Sequence, residues 1–321
     1  MTVIELEQRW RLIVNTGVAL YRSLRINADC IPDLYLALDV KGDRFLILQV
    51  PNGINIQCQN IKMENLSIEW HEDSRFVVIG LLNKQFTDLY NDLVLSLYNR
   101  IDKLTSPARY ADEFIKCFYK WADFFEDNIP DKLSDVEVKG LFGELIVLRN
   151  YIADADLTNC NTILNAWQGP FGRTHDFTFG DFNLEVKTKD DNQITVRISS
   201  EYQLQPEAGK NMRLAVVNVA VKDNGKNLGM VIHEIKEIII EKGADMVTFL
   251  KAIIKAGLNA GNVVLYNHHK WEPLSISFYD CSSGDDFPKI ISSRLPNGIN
   301  TVKYNLTVDL IQDYLIQRIY L

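Results

Sequence analysis

Apolar and polar residues alternate with period two through the early part of this chain and then give way to helical spacing. Residues 34–39, a turn at Lys41-Gly42-Asp43, and residues 44–50 read as strand, turn, strand, and residues 66–70 and 76–82 read as further strands. Residues 89–101 and 110–125 read as helices. In the second of these, Phe114, Phe118, Tyr119, Trp121 and Phe124 recur at intervals that suit packing, so they are expected in a core and not as a platform for stacked bases. Asn128-Ile129-Pro130-Asp131 breaks the pattern. The break divides the chain into an N-terminal α+β lobe, residues 1–130, and a second lobe, residues 131–321.

The second lobe opens with a capping-box signal, Ser134-Asp135-Val136-Glu137, and Leu141, Leu145, Leu148 and Ile152 then define one buried helical face. Glu144 lies beside that face. Gly140 and Gly143 each cost about 1 kcal/mol relative to alanine in a helix interior, so close approach of another backbone is the expected compensation. Further on, residues 193–198 read as a short strand, and Ser199 or Ser200 is placed to cap a short helix carrying Gln203 and Gln205. Residues 214–221 form an apolar run that suits a central strand, ended by a turn at Asp223-Asn224-Gly225. Helices are expected over 231–241 and 244–256, and strands over 263–266 and 274–279. The expected fold class is therefore α/β, a mixed β-sheet flanked by helices, with the α+β lobe in front of it.

Between these elements lies the segment that carries candidate chemistry. Two alternating runs flank Gly180-Asp181, a pair suited to the positive φ angles of a tight hairpin. A two-residue turn there puts Phe179 opposite Phe182, Phe177 opposite Leu184, Asp176 opposite Glu185 and Thr174 opposite Lys187. One face then carries Phe177, Phe179, Phe182, Leu184 and Val186, and the other carries Asp176, Glu185 and Lys187. In a non-hydrogen-bonded pair the Asp176 and Glu185 Cβ atoms would stand roughly 4.5–5.5 Å apart. Like charges so placed repel unless something neutralises them, and two readings are open. Lysines offset the acids on a solvated strand face, or a divalent cation such as Mg²⁺, which commonly takes one or two protein carboxylates, sits between them. Two metal-binding carboxylates with a lysine on the same face match the needs of phosphodiester hydrolysis: a more acidic bound water, neutralised phosphate charge and a cation at the nucleophile.

Composition bounds the alternatives. A chain of 321 residues with 47% hydrophobic content can bury a substantial core. Its five cysteines, Cys30, Cys58, Cys117, Cys160 and Cys281, lack CxxC spacing, which argues for reduced thiols over a zinc site or disulfide framework. The start of the chain has no signal-like pattern and no apolar run reaches the ~18 residues of a membrane span, so a cytoplasmic protein with no membrane partner is expected. Neither a Walker pattern nor GxGxxG occurs. His268-His269 would point to opposite faces of a strand and is assigned a structural or surface role. The net charge of −8 should repel nucleic acid on average. Either basic residues gather near the site, with Arg173, Lys187, Lys189, Arg197 and Lys210 as candidates, or affinity for DNA comes from a partner subunit.

Asp176 followed by Glu185-Val186-Lys187, with Glu144 on a preceding helix, resembles the PD-(D/E)xK nuclease superfamily of restriction and repair enzymes. More narrowly, the chain is similar to a prokaryotic branch long catalogued as a domain of unknown function and found beside restriction-modification and phage-defence genes. The matching pieces run from Gly140-Leu141-Phe142-Gly143-Glu144-Leu145 through Trp167-Gln168-Gly169-Pro170, His175-Asp176-Phe177, Leu184-Glu185-Val186-Lys187 and Ile198-Ser199-Ser200 with Gln203-Leu204 to Leu295-Pro296-Asn297-Gly298-Ile299. The D…ExK pattern alone arises often by chance; the ordered set is far more specific.

The resemblance implies an α-β-β-β-α-β core in the second lobe and a Mg²⁺-dependent DNA endonuclease, with Mn²⁺ able to substitute, acting as the cleavage subunit of a restriction or phage-defence system. It implies Asp176, Glu185 and the Val186 carbonyl as metal ligands and Lys187 as the residue that positions the attacking water. Glu144 would tune Lys187 or help a second ion, and Gln203 would orient polar ligands. The expected partners are DNA, proteins of the same defence system and, for double-strand cleavage, a second copy of the chain. The alternative is a scaffold or DNA-binding subunit that keeps the nuclease fold without catalysis; a repair nuclease would share the chemistry and differ in substrate.

Overall fold

The alternating segments of the N-terminal part pair in a computed structural model that describes residues 1–14, 20–122, 125, 133–258, 262–282 and 286–321. The chain divides into two compact units, Met1–Asn128 and Ile129–Leu321. The first contains α1 (Val3–Leu12), β1 (Tyr21–Arg25), β2 (Asp33–Asp39), β3 (Arg44–Gln49), β4 (Ile61–Lys62), β5 (Leu66–His71), β6 (Phe76–Leu81), α2 (Thr87–Ile101) and α3 (Pro107–Ala122). Its strands form one antiparallel sheet in the order β1-β2-β3-β6-β5-β4. Hydrophobic periodicity does not announce α1 or β1, because α1 buries only Leu6 and Trp10 and β1 is a largely exposed edge strand; the local signal for α1 is its Thr2–Glu5 capping box. Phe114, Phe118 and Trp121 are fully buried, as core residues should be, whereas Tyr119 is 38% exposed. Phe124 and the pattern break at 128–131 lie outside the described residues.

The second unit contains α4 (Asp135–Ala153), α5 (Leu157–Ala166), β7 (Phe177–Thr178), β8 (Phe182–Asp190), β9 (Thr195–Ile198), β10 (Asn211–Lys226), α6 (Leu228–Lys242), α7 (Met246–Lys255), β11 (Trp271–Asp280), β12 (Tyr304–Thr307) and β13 (Leu315–Tyr320). The capping box at Ser134 and Glu137 starts α4 as expected. Five strands form a mixed sheet in the order β13-β11-β10-β8-β7, with the apolar β10 at its centre, parallel to β8 and antiparallel to β11. Apart from β9, which pairs with β12 in a separate two-stranded sheet, and the additional α5 and α7, the succession α4, β7, β8, β10, α6, β11 is helix, three strands, helix, strand. This is an α/β nuclease-like architecture.

Several local expectations are corrected. Residues 263–266 form a 3-10 helix and not a strand, four residues being too few for periodicity to decide between them. Residues 201–204 form a turn and not a short helix: Ser200 Oγ accepts from Tyr202 N, and the Gln203 side chain takes the Ser199 N–H. The Asp223-Asn224-Gly225 signal marks a register shift within β10, which runs on to Lys226. A Cβ on Gly225 would sit 2.6 Å from the Trp271 backbone, so glycine permits that close approach. The polar composition of α5 hid it from periodicity, and only its Asp156 cap is a clear sequence signal.

The hairpin register is the predicted one, with Phe177 opposite Leu184 and Thr178 opposite Asn183. Both faces of β8 are covered. α4 lies over the face that carries Leu184, Val186 and Thr188, where Gly143 approaches so closely that a Cβ would meet Thr188 Oγ1 at 1.9 Å. Gly140 has open space instead, so close packing accounts for Gly143 alone. On the other face, Asn183, Glu185 and Lys187 register beside Met212, Leu214 and Val216 of β10. Those three belong to an apolar cluster with Val196, Ile198, Leu204, Leu306 and Val308. The solvated acidic strand face is therefore excluded: Glu185 is 1% exposed.

Candidate active site

A buried carboxylate in an apolar environment demands a partner, and for Glu185, Asp176 and Glu144 the donors are the Lys187 ammonium, the Val186 N–H and the Trp167 indole. Glu185, on β8, reaches Lys187 two residues along the same face, with Lys187 Nζ donating to Glu185 Oε1 at 2.6 Å. Glu185 Oε2 is buried with no hydrogen-bond partner. Asp176 stands immediately before β7 but does not extend the ladder. Its carbonyl accepts from the Gln168 and Gly169 N–H groups, and its side chain turns to β8, where Oδ2 accepts from Val186 N at 2.7 Å. The carboxylate thus replaces the strand as partner of β8, and the expected cross-strand pairing of Asp176 with Glu185 gives way to this tighter arrangement. The Val186 carbonyl leaves β8 on the same edge as its N–H, the edge that β7 has vacated.

Glu144 comes from α4. Its Oε2 accepts from the indole of Trp167, Nε1 to oxygen 2.8 Å, and Trp167 is itself 1% exposed at the end of α5. Gly169 closes the arrangement, since a Cβ there would lie 2.7 Å from Glu144 Oε2 and 3.0 Å from Asp176 Oδ1. Trp167 and Gly169 are the residues touching these carboxylates that reasoning from the hairpin alone passes over. Their signal is a Trp-Gln-Gly-Pro run directly before an acidic hairpin. Glu144 thus stands next to Asp176 across Gly169, close enough for the Asp176 and Glu185 charges to act on it.

The electrostatics follow from this crowding. Burial pushes Glu185 up from 4.5 to about 8, with the Asp176 charge adding to the rise and Lys187 opposing it. Burial also raises Glu144 well above the usual range, reinforced by Asp176 and resisted by the Trp167 hydrogen bond. Asp176 is raised by burial against the pull of Lys187 and the Val186 N–H. For Lys187 burial acts downward, but Glu185, Asp176 and Glu144 together outweigh it and hold the ammonium charged. Replacing Trp167 by phenylalanine removes the group that holds the Glu144 pKa down. The expected result is a further upward shift of Glu144, read by carbon-detected NMR titration of its carboxyl, with Asp176 moving less.

Gln203 does not join the four; its Oε1 accepts from Ser199 N at 2.7 Å and holds the turn after β9. Of the candidate basic residues, Lys187 belongs to the acidic cluster, Lys189 donates to the Asp190 and Gln193 carbonyls and to Asn218, and Lys210 donates to the Phe179 carbonyl. Arg173 and Arg197 are exposed. His175, next to Asp176, is 3% exposed and burial lowers its pKa, which keeps the ring neutral near pH 7.

A family model described as "Putative PD-(D/E)XK family member, (DUF4420)" matches residues 6–309. The chain belongs to this family. The DUF4420 match spans nearly the whole chain, including α4, the hairpin and β10. No curated protein and no solved structure matches the chain. Among the described residues, no helix is long and apolar enough to cross a membrane.

Proposed function

We propose that this protein is a divalent-metal-dependent deoxyribonuclease, the cleavage subunit of a restriction or phage-defence system. The observation that carries the reading is the cluster of the partly buried Asp176 and Lys187 around the fully buried Glu185, whose Oε2 is left without a partner in an apolar surround. Natural folds avoid such an atom unless it has work to do. The donors fit a hard cation: Asp176 Oδ1 and Glu185 Oε2, with the Val186 carbonyl, are oxygen ligands of the kind Mg²⁺ and Mn²⁺ take. When bound, the ion lowers the pKa of a coordinated water and neutralises phosphate charge. Lys187, fixed by Glu185 Oε1 and charged, positions the attacking water and stabilises charge developing on the phosphate. Glu144, anchored by Trp167, sets the field at Lys187. Gln203 shapes the adjoining turn through Ser199.

The net charge of −8 and the engagement of Lys189 and Lys210 with protein carbonyls support a dependence on partner subunits for DNA affinity. The test is incubation of the purified chain with supercoiled plasmid and Mg²⁺ or Mn²⁺, with and without the products of neighbouring genes. Nicked or linear product that needs the metal and increases with the partners is expected. Intact plasmid in every combination, from a folded chain that binds the metal, would favour the non-catalytic scaffold.

The pKa shifts give a further expectation. Between about pH 4.5 and 8 the folded chain holds a proton on Glu185 that the unfolded chain has released. Stability of the metal-free protein must therefore fall as pH rises through that window and level off above it. The upward shifts of Glu144 and Asp176 act with the same sign. Metal binding should release protons in the same window, so affinity rises with pH. Thermal melts in chelator across this range, repeated on Glu185→Gln, check the slope; the variant should flatten it.

A further inference from the structure

A second cluster of ligand-type side chains lies away from the hairpin. At the start of α4 Asp135 faces His268 and His269, which follow the 3-10 helix at 263–266, and one ligand atom from each lies within 4.8 Å of the other two. The chain does not run as a strand here, so the two adjacent imidazoles do not diverge, and their ring centroids are 4.0 Å apart. The expectation that the two rings point to opposite faces of a strand is corrected by this turn.

The support beneath these donors is rigid. The His269 ring lies parallel to the Trp271 indole, at 1° and 5.5 Å, and Trp271, 5% exposed, packs on Phe142 of α4 at 4.9 Å. Phe142 is two helical turns from Asp135, so α4 and the 262–271 segment are tied at both levels. A further tie is the Leu133 N–H to Tyr266 Oη bond at 2.9 Å, with Tyr266 1% exposed. Against this frame His269 Nε2 already stands 3.2 Å from Asp135 Oδ1, while His268 and Asp135 are exposed and free to adjust.

We propose that Asp135, His268 and His269 form a binding site for a transition-metal dication of the Zn²⁺ class, with water in the remaining position. Two imidazoles and one carboxylate are the donor set that favours Zn²⁺, Ni²⁺ or Co²⁺ over Mg²⁺. At metal–ligand distances of about 2.0–2.1 Å, tetrahedral ligands stand about 3.3 Å from one another, a contraction that exposed side chains can make without moving the backbone. Asp135 and Glu137, both in the first turn of α4, add the negative charge that offsets the positive end of the helix. The ion clasps the first turn of α4, the helix that carries Glu144, to the segment leading into β11.

The proposal is independent of the hairpin reading, and the test separates them. The full-length chain in excess Mg²⁺ is titrated with Zn²⁺ by calorimetry and with Co²⁺ by visible absorption, alongside His268→Ala, Asp135→Asn and Asp176→Ala. His268 and Asp135 are exposed, so both variants are expected to fold, and metal-free thermal melts verify it. The expected result is one Zn²⁺ per chain, retained by Asp176→Ala and weakened at least about tenfold by His268→Ala and by Asp135→Asn. Co²⁺ should give a visible band without the near-ultraviolet absorption of a thiolate ligand. Zn²⁺ affinity unchanged in His268→Ala would overturn the proposal, as would loss of the ion in Asp176→Ala alone, which places it at the hairpin.

Discussion

Alanine at Asp176 or at Glu185 is expected to lower metal-dependent DNA cleavage by about 10²–10⁴-fold. The ion supplies several kcal/mol of charge stabilisation, and each factor of ten in rate corresponds to about 1.4 kcal/mol. Activity and stability should move in opposite directions. In the metal-free protein above about pH 8 Glu185 is a buried carboxylate whose Oε2 has no partner, so Glu185→Gln, which keeps the shape and removes that charge, should raise the melting temperature there while abolishing turnover at every pH. Lys187→Ala behaves differently. It removes the cation that three raised carboxylates share, so both activity and stability fall. Plasmid cleavage rates, paired with thermal melts in chelator, separate these cases. Asp176→Ala and Lys187→Ala proteins that melt cooperatively and still cut at the parent rate would remove the site from consideration.

The second large effect is expected at Gly143. A methyl group there collides with Thr188 Oγ1 at 1.9 Å and approaches Thr188 Cβ at 3.1 Å. Gly143→Ala should therefore destabilise the second unit by about 1–3 kcal/mol, the usual range for overpacking. It should also cut activity, because pushing α4 off β8 carries Glu144 away from Asp176 and Trp167. Adding Thr188→Ala should recover part of both losses, since the clashing oxygen is gone. Gly140→Ala is the internal control. Nothing stands within 4 Å of its added methyl, so better helix propensity should stabilise α4 by up to about 1 kcal/mol. Denaturant melts of the four proteins read the contrast. A Gly143→Ala protein as stable as Gly140→Ala would show that α4 does not rest on Thr188.

Legibility in the sequence tracked how local the physics is. The 177–184 register was readable because a two-residue turn and strict alternation leave one pairing. The start of α4 was readable because a capping box is a local signal. The meeting of Asp176, Glu185 and Lys187 was legible through the same alternation, but the way they meet was not. That depends on residues 168 and 169 taking the Asp176 carbonyl, a contact across a loop that no periodicity announces. Burial of Glu185 was illegible for a similar reason, since its cover joins β9 and the turn at 201–204 to β12, more than a hundred residues along the chain. The directions of the His268 and His269 rings were illegible because period-two alternation applies only within a strand, and the pair follows a 3-10 helix in a turn where adjacent rings lie 4.0 Å apart.

The central claim is that Asp176 and Glu185 share a divalent ion beside Lys187. Crystals of the protein grown in Mn²⁺, with an anomalous difference map recorded at the manganese edge, test it most directly. The account predicts a peak about 2.0–2.3 Å from Asp176 Oδ1, Glu185 Oε2 and the Val186 carbonyl oxygen. A well-ordered hairpin with no peak there, or with Asp176 and Glu185 turned away from each other around ordered water, would contradict it.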